Sequence, residues 1–411
     1  MNGNLKFTKI LRLVTVVCLA FVASSASAER ISLEQVLGLV AKSHPQLRQQ
    51  ARLVDESSAL VRAANWQRFP NLSFDYGTSN NNERYSAATV SIPVYEGGAI
   101  TLGSGIQSAE KEMREAKIDR VRRELFEGAV EAFFEAIRSE QSIVITQRSL
   151  STLIGMRESA ERRVKADVSP AADLDYLDSQ IALQRSSLAR FQGDRALALS
   201  RLKEATGEDL SERPLTYTAK GIDGDRRDIL TRAYRSSAYR SEMDAKIRKS
   251  SLERDKLRAA IKPSVSLNYK KQLTNPLIGA DEQQVYLSFN FSTGRGLSSG
   301  SEVLAGSMRL AATRDEAAAY KKVLVRDVEH KLINLERLSA QIPALAQAVE
   351  ARTNMLESYS RLFATGTRSW LDLLNAESEK YQAELDLQAA EVDLKRVKAV
   401  LALMLGEYDD Q

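Results

Sequence analysis

The chain of 411 residues has little of what most enzymes and disulfide-bonded proteins use. It contains one cysteine, Cys18, and two histidines, His44 and His330. One cysteine cannot form an internal disulfide, and the histidines do not fall in a metal-ligand pattern. The glycine-rich stretch 294–300 lacks the lysine and the spacing of a phosphate-binding loop. We therefore predict that the protein is not an enzyme and has no catalytic residues, cofactor or metal site.

Long apolar runs and a strong excess of one charge are also missing from most of the chain. Beyond residue 28 no apolar run reaches the roughly eighteen residues that a transmembrane helix needs. The formal charge is +4, and Lys6, Lys9 and Arg12 supply most of it. The rest of the chain is close to neutral with both signs interspersed, so nothing indicates nucleic-acid binding.

Residues 1–28 have the three parts of a secretory signal peptide. Basic residues precede an apolar stretch of about ten residues, and Ala26-Ser27-Ala28 is a typical cleavage site. We expect removal after Ala28, which also removes Cys18, and export from the cytoplasm. The alternative is an uncleaved anchor helix, although the apolar stretch is too short to span a bilayer.

Past the signal peptide the sequence repeats itself. The segment 68–76 aligns with 261–269, so that Pro70 corresponds to Pro263. Further along, Asp173 aligns with Asp372. The offset is 193 residues in the first case and 199 in the second, which indicates insertions in the intervening loops. We predict two copies of a helix–strand–strand–helix–helix unit, 29–207 and 227–411, joined by a linker or equatorial segment, 208–226.

Each copy has two segments in which apolar and polar residues alternate, at about 70–95 and 263–292. Their length and period match transmembrane β-strands. A soluble four-stranded sheet with one wet face is the alternative. Because four strands cannot close a barrel alone, a membrane sheet would have to pool strands from several chains, and three chains would supply about twelve.

Long helices follow the strands. Between residues 328 and 363 of the second copy an apolar residue recurs every seven positions, which predicts a coiled-coil seam. The residues are Val328, Leu335, Ile342, Val349, Leu356 and Phe363. Helices of about 60–70 residues would extend roughly 90–105 Å. Short turns at about 167–172 and 366–369 should lead into return helices of about 35 residues. We also expect one helix from Ile31 to about Phe69, and a bend or a soft point at Pro343.

At the second turn, Gly366-Thr367-Arg368-Ser369-Trp370-Leu371-Asp372-Leu373-Leu374-Asn375-Ala376 resembles the hairpin-tip motif of the TolC family of outer-membrane efflux and secretion channels. With the duplicated β-hairpins, the resemblance covers nearly all of residues 31–408. It implies a mainly α-helical homotrimer with a twelve-stranded transmembrane β-barrel in the outer membrane lipid. A coiled-coil tunnel would cross the periplasm and dock a periplasmic adaptor and an inner-membrane transporter, ABC-type or proton-driven.

The same resemblance implies roles for residues at the two tips. Asp372 matches an acidic position that rings the periplasmic aperture, and Asn375 falls where a second acidic ring would lie. Arg368, Phe363 and Asp173 match positions of a gating latch. The adaptor-docking tip would comprise Gly366, Thr367, Trp370 and Asp167.

Each role has a structural alternative. A ring of three Asp372 carboxylates should concentrate cations and raise the pKa of each carboxyl, but acidic residues also suit the first turn of a helix. Arg368 can equally be an ordinary charged residue at a helix start. Trp370 is expected to be exposed near the tip, where it would anchor the adaptor or pack the hairpin.

The run Arg-Ser-Trp-Leu-Asp at 368–372 is similar to channels that serve type I secretion. We therefore predict an exit duct for type I protein secretion, with multidrug or small-molecule efflux as the alternative. A soluble periplasmic scaffold or adaptor is a further alternative, but it does not account for four amphipathic strands placed identically in two copies.

Overall fold

The computed structural model describes residues 30–78, 84–168, 170–274, 282–292, 298–365 and 367–408. The predicted signal peptide, Gly366 and most of the stretch 294–300 lie outside the described residues. None of the described helices combines the length and the apolar content of a membrane span.

The described elements confirm the duplicated helix–strand–strand–helix–helix unit. The first copy contains β1 (Ile31–Ser32), α1 (Leu33–Ser43), α2 (Pro45–Trp66), β2 (Asn71–Thr78), β3 (Arg84–Tyr95), α3 (Ala99–Lys165) and α4 (Ala172–Thr206). The linker contains β4 (Leu215–Thr216). The second copy contains α5 (Arg226–Ser236), which begins one residue before the predicted boundary, α6 (Ala238–Ala259), β5 (Ser264–Thr274), β6 (Gln283–Asn290), α7 (Ser299–Ala364) and α8 (Trp370–Met404). The long helix α7 continues through Pro343 without a break.

The expectation of a single helix from Ile31 to Phe69 is wrong. The chain begins with a short strand, and His44 has an extended conformation between α1 and α2. Proline disfavours a helical residue before it and suits the first position of a helix. His44 also caps α2, since its Nδ1 accepts a hydrogen bond from Gln46 N at 3.3 Å. The second copy has the same break, with Ser237 extended between α5 and α6.

The residues fall into two compact units. The described residues within Met1–Val40, Ala129–Ala219 and Leu345–Lys395 form the first unit, and those within Ala41–Gly128, Lys220–Ala344 and Arg396–Gln411 form the second. In the first unit β1 pairs in parallel with β4, and Phe133 and Phe134 are buried beside each other. This unit contains both helical turns, and the second unit contains the β-hairpins.

The second unit has an antiparallel sheet in the order β2-β3-β5-β6. One face carries large apolar side chains that are each more than half exposed: Leu72, Phe74, Tyr76, Val285, Leu287 and Phe289. The opposite face is polar, and Asn268 Nδ2 donates to Ser288 Oγ there at 2.9 Å. Strands with an exposed apolar face and a polar inner face are typical of membrane-spanning β-strands.

Candidate functional site

The second-copy tip is closed by reciprocal hydrogen bonds at the start of α8. Ser369 Oγ and Ser369 N donate to Asp372 Oδ2 at 2.7 and 3.1 Å, and Asp372 N donates to Ser369 Oγ at 3.2 Å. This is a capping box with aspartate in place of glutamate. Before the cap, Thr367 N donates to Leu362 O at 2.9 Å, which ends α7. Asp372 thus caps the helix, as the structural alternative predicts.

Arg368 has two neighbours in the same tip. Its Nη1 lies 3.9 Å from Asp372 Oδ2, and its guanidinium carbon lies 4.7 Å from the centre of the Tyr359 ring. Both charged side chains are partly exposed, so this ion pair contributes little to stability. Among the described residues no ion pair joins Arg368 to Asp173 within one chain.

The electrostatics of Asp372 within one chain differ from those predicted for a ring. Hydrogen bonds from the Ser369 side chain and backbone, followed by the charge of Arg368, lower the pKa of Asp372. A ring of three Asp372 carboxylates would instead raise this pKa through mutual repulsion. The chain's own contacts therefore favour the ionised form of Asp372.

Trp370 is partly buried rather than exposed. It packs against the apolar cluster that joins the tips: Leu153, Ala160, Leu177, Ile181 and Leu374. Its indole Nε1 is buried and has no hydrogen-bond partner among the described residues. The packing role predicted for Trp370 is therefore present in the single chain.

Phe363 lies between two neighbours in this tip. Its ring centre is 5.2 Å from that of Trp370 and 4.7 Å from the guanidinium carbon of Arg163. These contacts connect the end of α7 to the end of α3. Phe363 therefore acts here through ring packing, in line with its lack of a hydroxyl group.

The first-copy tip forms the same kind of turn with different residues. Asp167 has φ 54°, the left-handed conformation that glycine usually supplies. Val168 N donates to Arg163 O at 2.9 Å. Helix α4 then starts without a side-chain cap. Among the described residues the Asp173 carboxylate has no hydrogen bond or ion pair.

The other predicted tip residues, Thr367 and Asn375, are exposed. Thr367 Oγ1 lies 2.8 Å from Thr365 Oγ1. Asn375 lies one helical turn after Asp372, as the spacing predicts.

A polar seam between α3 and α8 was missed from the sequence. It consists of three side-chain hydrogen bonds. They join Ser149 Oγ to Glu377 Oε1 at 2.8 Å, Thr146 Oγ1 to Tyr381 Oη at 3.2 Å, and Ser142 Oγ to Gln388 Oε1 at 3.3 Å. Residues 142, 146 and 149 recur at helical spacing on α3, which was the available signal. The seam is a run of polar contacts between two helices from different copies.

Glu377 is the ionisable group at one end of this seam. It is only 2% exposed, and burial raises the pKa of its carboxyl. Ser149 donates to its Oε1, while Oε2 is buried without a partner in the described chain. The described residues include no group of three or more His, Cys, Asp or Glu side chains placed to hold a metal.

The profile of the outer membrane efflux protein family matches residues 36–208 and 241–407, one segment in each copy. The chain belongs to the outer membrane efflux protein family. Its proteins are channels, and membership places the chain in the cell outer membrane with its long helices in the periplasm. The predicted TolC-family resemblance, fold class and location are thereby confirmed.

Several proteins are similar to this chain over most of its length. The cobalt-zinc-cadmium resistance protein CzcC of Cupriavidus metallidurans is 23% identical over 390 residues, which is 87% of this chain and 86% of CzcC. The structure of CusC has a TM-score of 0.80 at 16% identity and covers 91% of each chain. The outer-membrane channel OprN has a TM-score of 0.80 at 19% identity and covers 91% of this chain and 89% of its own.

A third structure, the CmeC outer membrane channel of Campylobacter jejuni, has a TM-score of 0.79 at 12% identity. It covers 91% of this chain and 85% of its own. Type I secretion, which the tip sequence favours, is named for none of these proteins. The efflux alternative fits them better.

Proposed function

We propose that this outer membrane efflux protein is the exit duct of a tripartite efflux system, and that divalent metal cations are its cargo. The family match to both copies carries the efflux assignment. The cargo class is supported by the similarity to CzcC along nearly the whole of both chains. Asp372, at the position predicted to ring the aperture, adds physical support, because carboxylates at a narrow entrance concentrate cations.

Three protein chains would form the channel. The order β2-β3-β5-β6 leaves β2 and β6 as edge strands in one chain, and their unpaired backbone groups could not be satisfied in lipid. Pairing β6 of one chain with β2 of the next chain removes both edge strands. Three chains then contribute about twelve strands to one closed barrel.

The tips would form the periplasmic aperture and its latch. Asp372 and Asn375 would ring the aperture around the three-fold axis, where repulsion among the carboxylates opposes the lowering of the Asp372 pKa by Ser369. The Asp173 carboxylate has no partner among the described residues. In the closed state it would accept a hydrogen bond from Arg368 of a neighbouring chain. Phe363 would support the latch through its contacts with Trp370 and Arg163.

A periplasmic adaptor would dock on the two tips, and a proton-driven inner-membrane transporter would supply the energy. The docking tip would comprise Gly366, Thr367, Trp370 and Asp167. Thr367 and Asp167 are exposed and available for contact. Because Trp370 is largely engaged in packing, it would contribute through the shape of the tip.

Single-channel conductance in a planar bilayer tests the aperture. Asp372→Asn keeps an oxygen for the cap but removes the charge, so the variant should lose most of the cation selectivity of the wild type. Asp175→Asn, an exposed first-turn residue of α4, is the matched control and should leave selectivity unchanged. Equal selectivity in the wild type and in Asp372→Asn would remove Asp372 from the aperture.

Metal tolerance tests the cargo. Cells lacking this chain should become sensitive to Zn²⁺, Co²⁺ or Cd²⁺ and recover with the wild-type chain. Sensitivity to organic drugs with unchanged metal tolerance would instead assign small-molecule efflux.

A further inference from the structure

The exposed apolar face of the sheet continues from β2 onto β3. Leu72 pairs with Val90, and residues directly opposite each other in an antiparallel pair lie on the same face. Because alternate residues of a strand share a face, Ile92 and Val94 continue the row that Val90 begins. Val94 is 61% exposed. This apolar row therefore reaches the end of β3 that leads into α3, on the periplasmic side of the sheet.

A cation lies where the apolar row ends. Arg68 precedes β2, and four further residues along the β2–β3 register bring it opposite Val94. Arg68 and Val94 also line one cavity. The Arg68 side chain is exposed and has no hydrogen bond or ion pair among the described residues. Cationic side chains at the end of a membrane-spanning segment lie at the level of the lipid headgroups.

The cavity beside Arg68 has a volume of about 450 Å³, which is within the usual range for small-ligand sites. Its walls carry one charge of each sign, since Glu96 lines it together with Arg68. The Glu96 carboxylate has no hydrogen bond or ion pair in the described part of the chain. Val94 and Ile100 supply apolar surface, and Tyr95 adds a hydroxyl group. The cavity therefore suits an amphiphilic molecule that carries a positive and a negative group.

The cavity does not lie at an open edge of the sheet. Strand β3 has β2 on one side and β5 on the other. Apart from Arg68, the residues that line the cavity all lie between positions 93 and 101. In the proposed barrel a neighbouring chain would pair with β2 from the side away from β3. The cavity would then stay open to the surrounding lipid when the barrel closes.

The second copy has a different residue at the equivalent of Arg68. Shifted by 193 positions, Arg68 corresponds to Ile261, which is apolar. The next residue, Lys262, is exposed but does not line the cavity. The two copies therefore differ in charge at this position, and Lys262 is a cation at the same end of the sheet that can serve as a control.

We propose that this cavity binds the headgroup of one phosphatidylethanolamine molecule from the periplasmic leaflet of the outer membrane. The Arg68 guanidinium would bind the phosphate, because its planar fork suits two phosphate oxygens. The Glu96 carboxylate would bind the ammonium group, and the acyl chains would lie along Ile92 and Val94. The inference goes beyond the proposed efflux function, since it depends on the outer-membrane location and not on the cargo.

Native mass spectrometry of the full-length protein, released from detergent in the presence of phosphatidylethanolamine, tests the site. Each wild-type chain should retain one lipid more strongly than any further lipid. Arg68→Gln should weaken this binding about tenfold, because it removes charged hydrogen bonds to the phosphate. Lys262→Gln removes one charge at the same end of the sheet and should bind as wild type. Equal losses in both variants would mean that general charge attracts the lipid, and would overturn the site.

Glu96→Gln tests the choice of headgroup. In the wild type, phosphatidylethanolamine should displace phosphatidylglycerol with the same acyl chains, because the glycerol headgroup has no ammonium group to pair with Glu96. The variant should lose this preference and still bind phosphate through Arg68. A wild type that prefers phosphatidylglycerol, or a variant that keeps the wild-type preference, would overturn the role of Glu96.

Glycerophosphoethanolamine, which is the same headgroup without acyl chains, separates a lipid site from a site for a soluble phosphate compound. At equal concentration it should not displace the lipid, because it has no acyl chains to bury against Ile92 and Val94. Displacement at equal concentration would overturn the lipid assignment. Circular dichroism of Arg68→Gln and Glu96→Gln should match the wild type, since neither side chain has a partner among the described residues.

Discussion

The two helical tips have the same backbone turn but are held by different chemistry. In both, a hydrogen bond of 2.9 Å spans five residues, from Val168 N to Arg163 O and from Thr367 N to Leu362 O. The second tip adds the Ser369 cap, whereas α4 begins without one. Where the second tip has the large ring of Trp370, the first has Ala171. Duplication has therefore kept the turn while the stabilising contacts are concentrated in the second copy.

The acidic residues show the same divergence. Asp372 is engaged by Ser369, while its counterpart Asp173 has no carboxylate partner in the described chain. A side chain that is already bonded is less available to a neighbouring molecule. The first tip is less stabilised, but its Asp173 carboxylate is the more available of the two for contacts between chains.

A further pair of equivalent carboxylates lies a short distance along the return helices. Asp178 is exposed and receives hydrogen bonds from Arg157, whereas Glu377 is buried beside Ser149. Arg157 lowers the pKa of Asp178, and burial raises the pKa of Glu377. One repeat position thus carries carboxyl groups with opposite pKa shifts.

Trp370→Ala should have the largest effect, since it gives the second tip the residue of the first. Removing a large, mostly packed aromatic ring is expected to cost about 3 kcal/mol. Thermal unfolding followed by circular dichroism in detergent should show a lowered midpoint. Leu371→Ala, at a neighbouring residue that is 52% exposed, is the control and should change little. An equal shift in both variants would contradict the packing role.

Trp370→Phe separates the ring from its indole nitrogen. Nε1 is buried without a partner in the described chain, so its loss carries no hydrogen-bond cost. We expect this variant to retain most of the stability lost in Trp370→Ala.

Glu377→Gln should have a smaller effect that depends on pH. A raised pKa means that the folded state favours the protonated carboxyl, so the stability contribution is present at low pH and is lost as pH rises above the ordinary carboxyl value. At pH 8 the uncharged glutamine should therefore stabilise the protein by about 1 kcal/mol, the typical size of a buried polar penalty. Thermal midpoints of wild type and variant at pH 4, below the ordinary carboxyl value, and at pH 8 measure the difference.

Lys380 and Glu384 are the charged residues that act on Glu377. They form an ion pair with each other at 3.3 Å, and α3 contributes the uncharged Ser149. The same difference in midpoint at both pH values would mean that Glu377 does not titrate in this range.

Asp178→Asn gives the opposite pH dependence at the equivalent position. A lowered pKa means that the contribution of the carboxylate is present above its ordinary value and is lost as pH falls. The variant should be less stable than wild type at neutral pH and equal to it in acid. If the stability of Asp178→Asn and of Glu377→Gln, each relative to wild type, changed with pH in the same direction, the predicted opposite pKa shifts at this repeat position would be wrong.

The sequence was sufficient to predict features that repeat or that depend on local chemistry. Three features can be read from the sequence alone: the offset between Pro70 and Pro263, the alternation of apolar and polar residues in the strands, and the tip motif. Together they predict the fold class and the family. The break at His44 was also accessible from Pro45, because proline restricts the residue before it.

Features that depend on contacts between distant segments were not predictable in this way. The burial of Trp370 requires residues from α3 and α4, and the burial of Glu377 requires α3. The first-turn position of Asp372 predicts a capping role, but only the hydrogen bonds from Ser369 reveal that the cap lowers the pKa of Asp372. The cavity beside Arg68 appears only when the residues before β2 and the end of β3 are placed side by side.

Asp167→Gly should have the smallest effect and the opposite sign. Asp167 has φ 54°, a conformation that costs a residue with a Cβ atom more than it costs glycine, and the second copy has Gly366 at this position. Because aspartate tolerates this conformation better than most residues, we expect a gain of only about 0.5 kcal/mol. Ala166→Gly, one position earlier, is the matched control, since it adds flexibility to the unfolded chain without relieving a positive φ. A raised thermal midpoint for Asp167→Gly with a lowered one for Ala166→Gly would attribute the difference between the tips to backbone conformation. Equal losses in both variants would mean that Asp167 stabilises the turn through its side chain, and that the first tip is adapted to aspartate rather than strained by it.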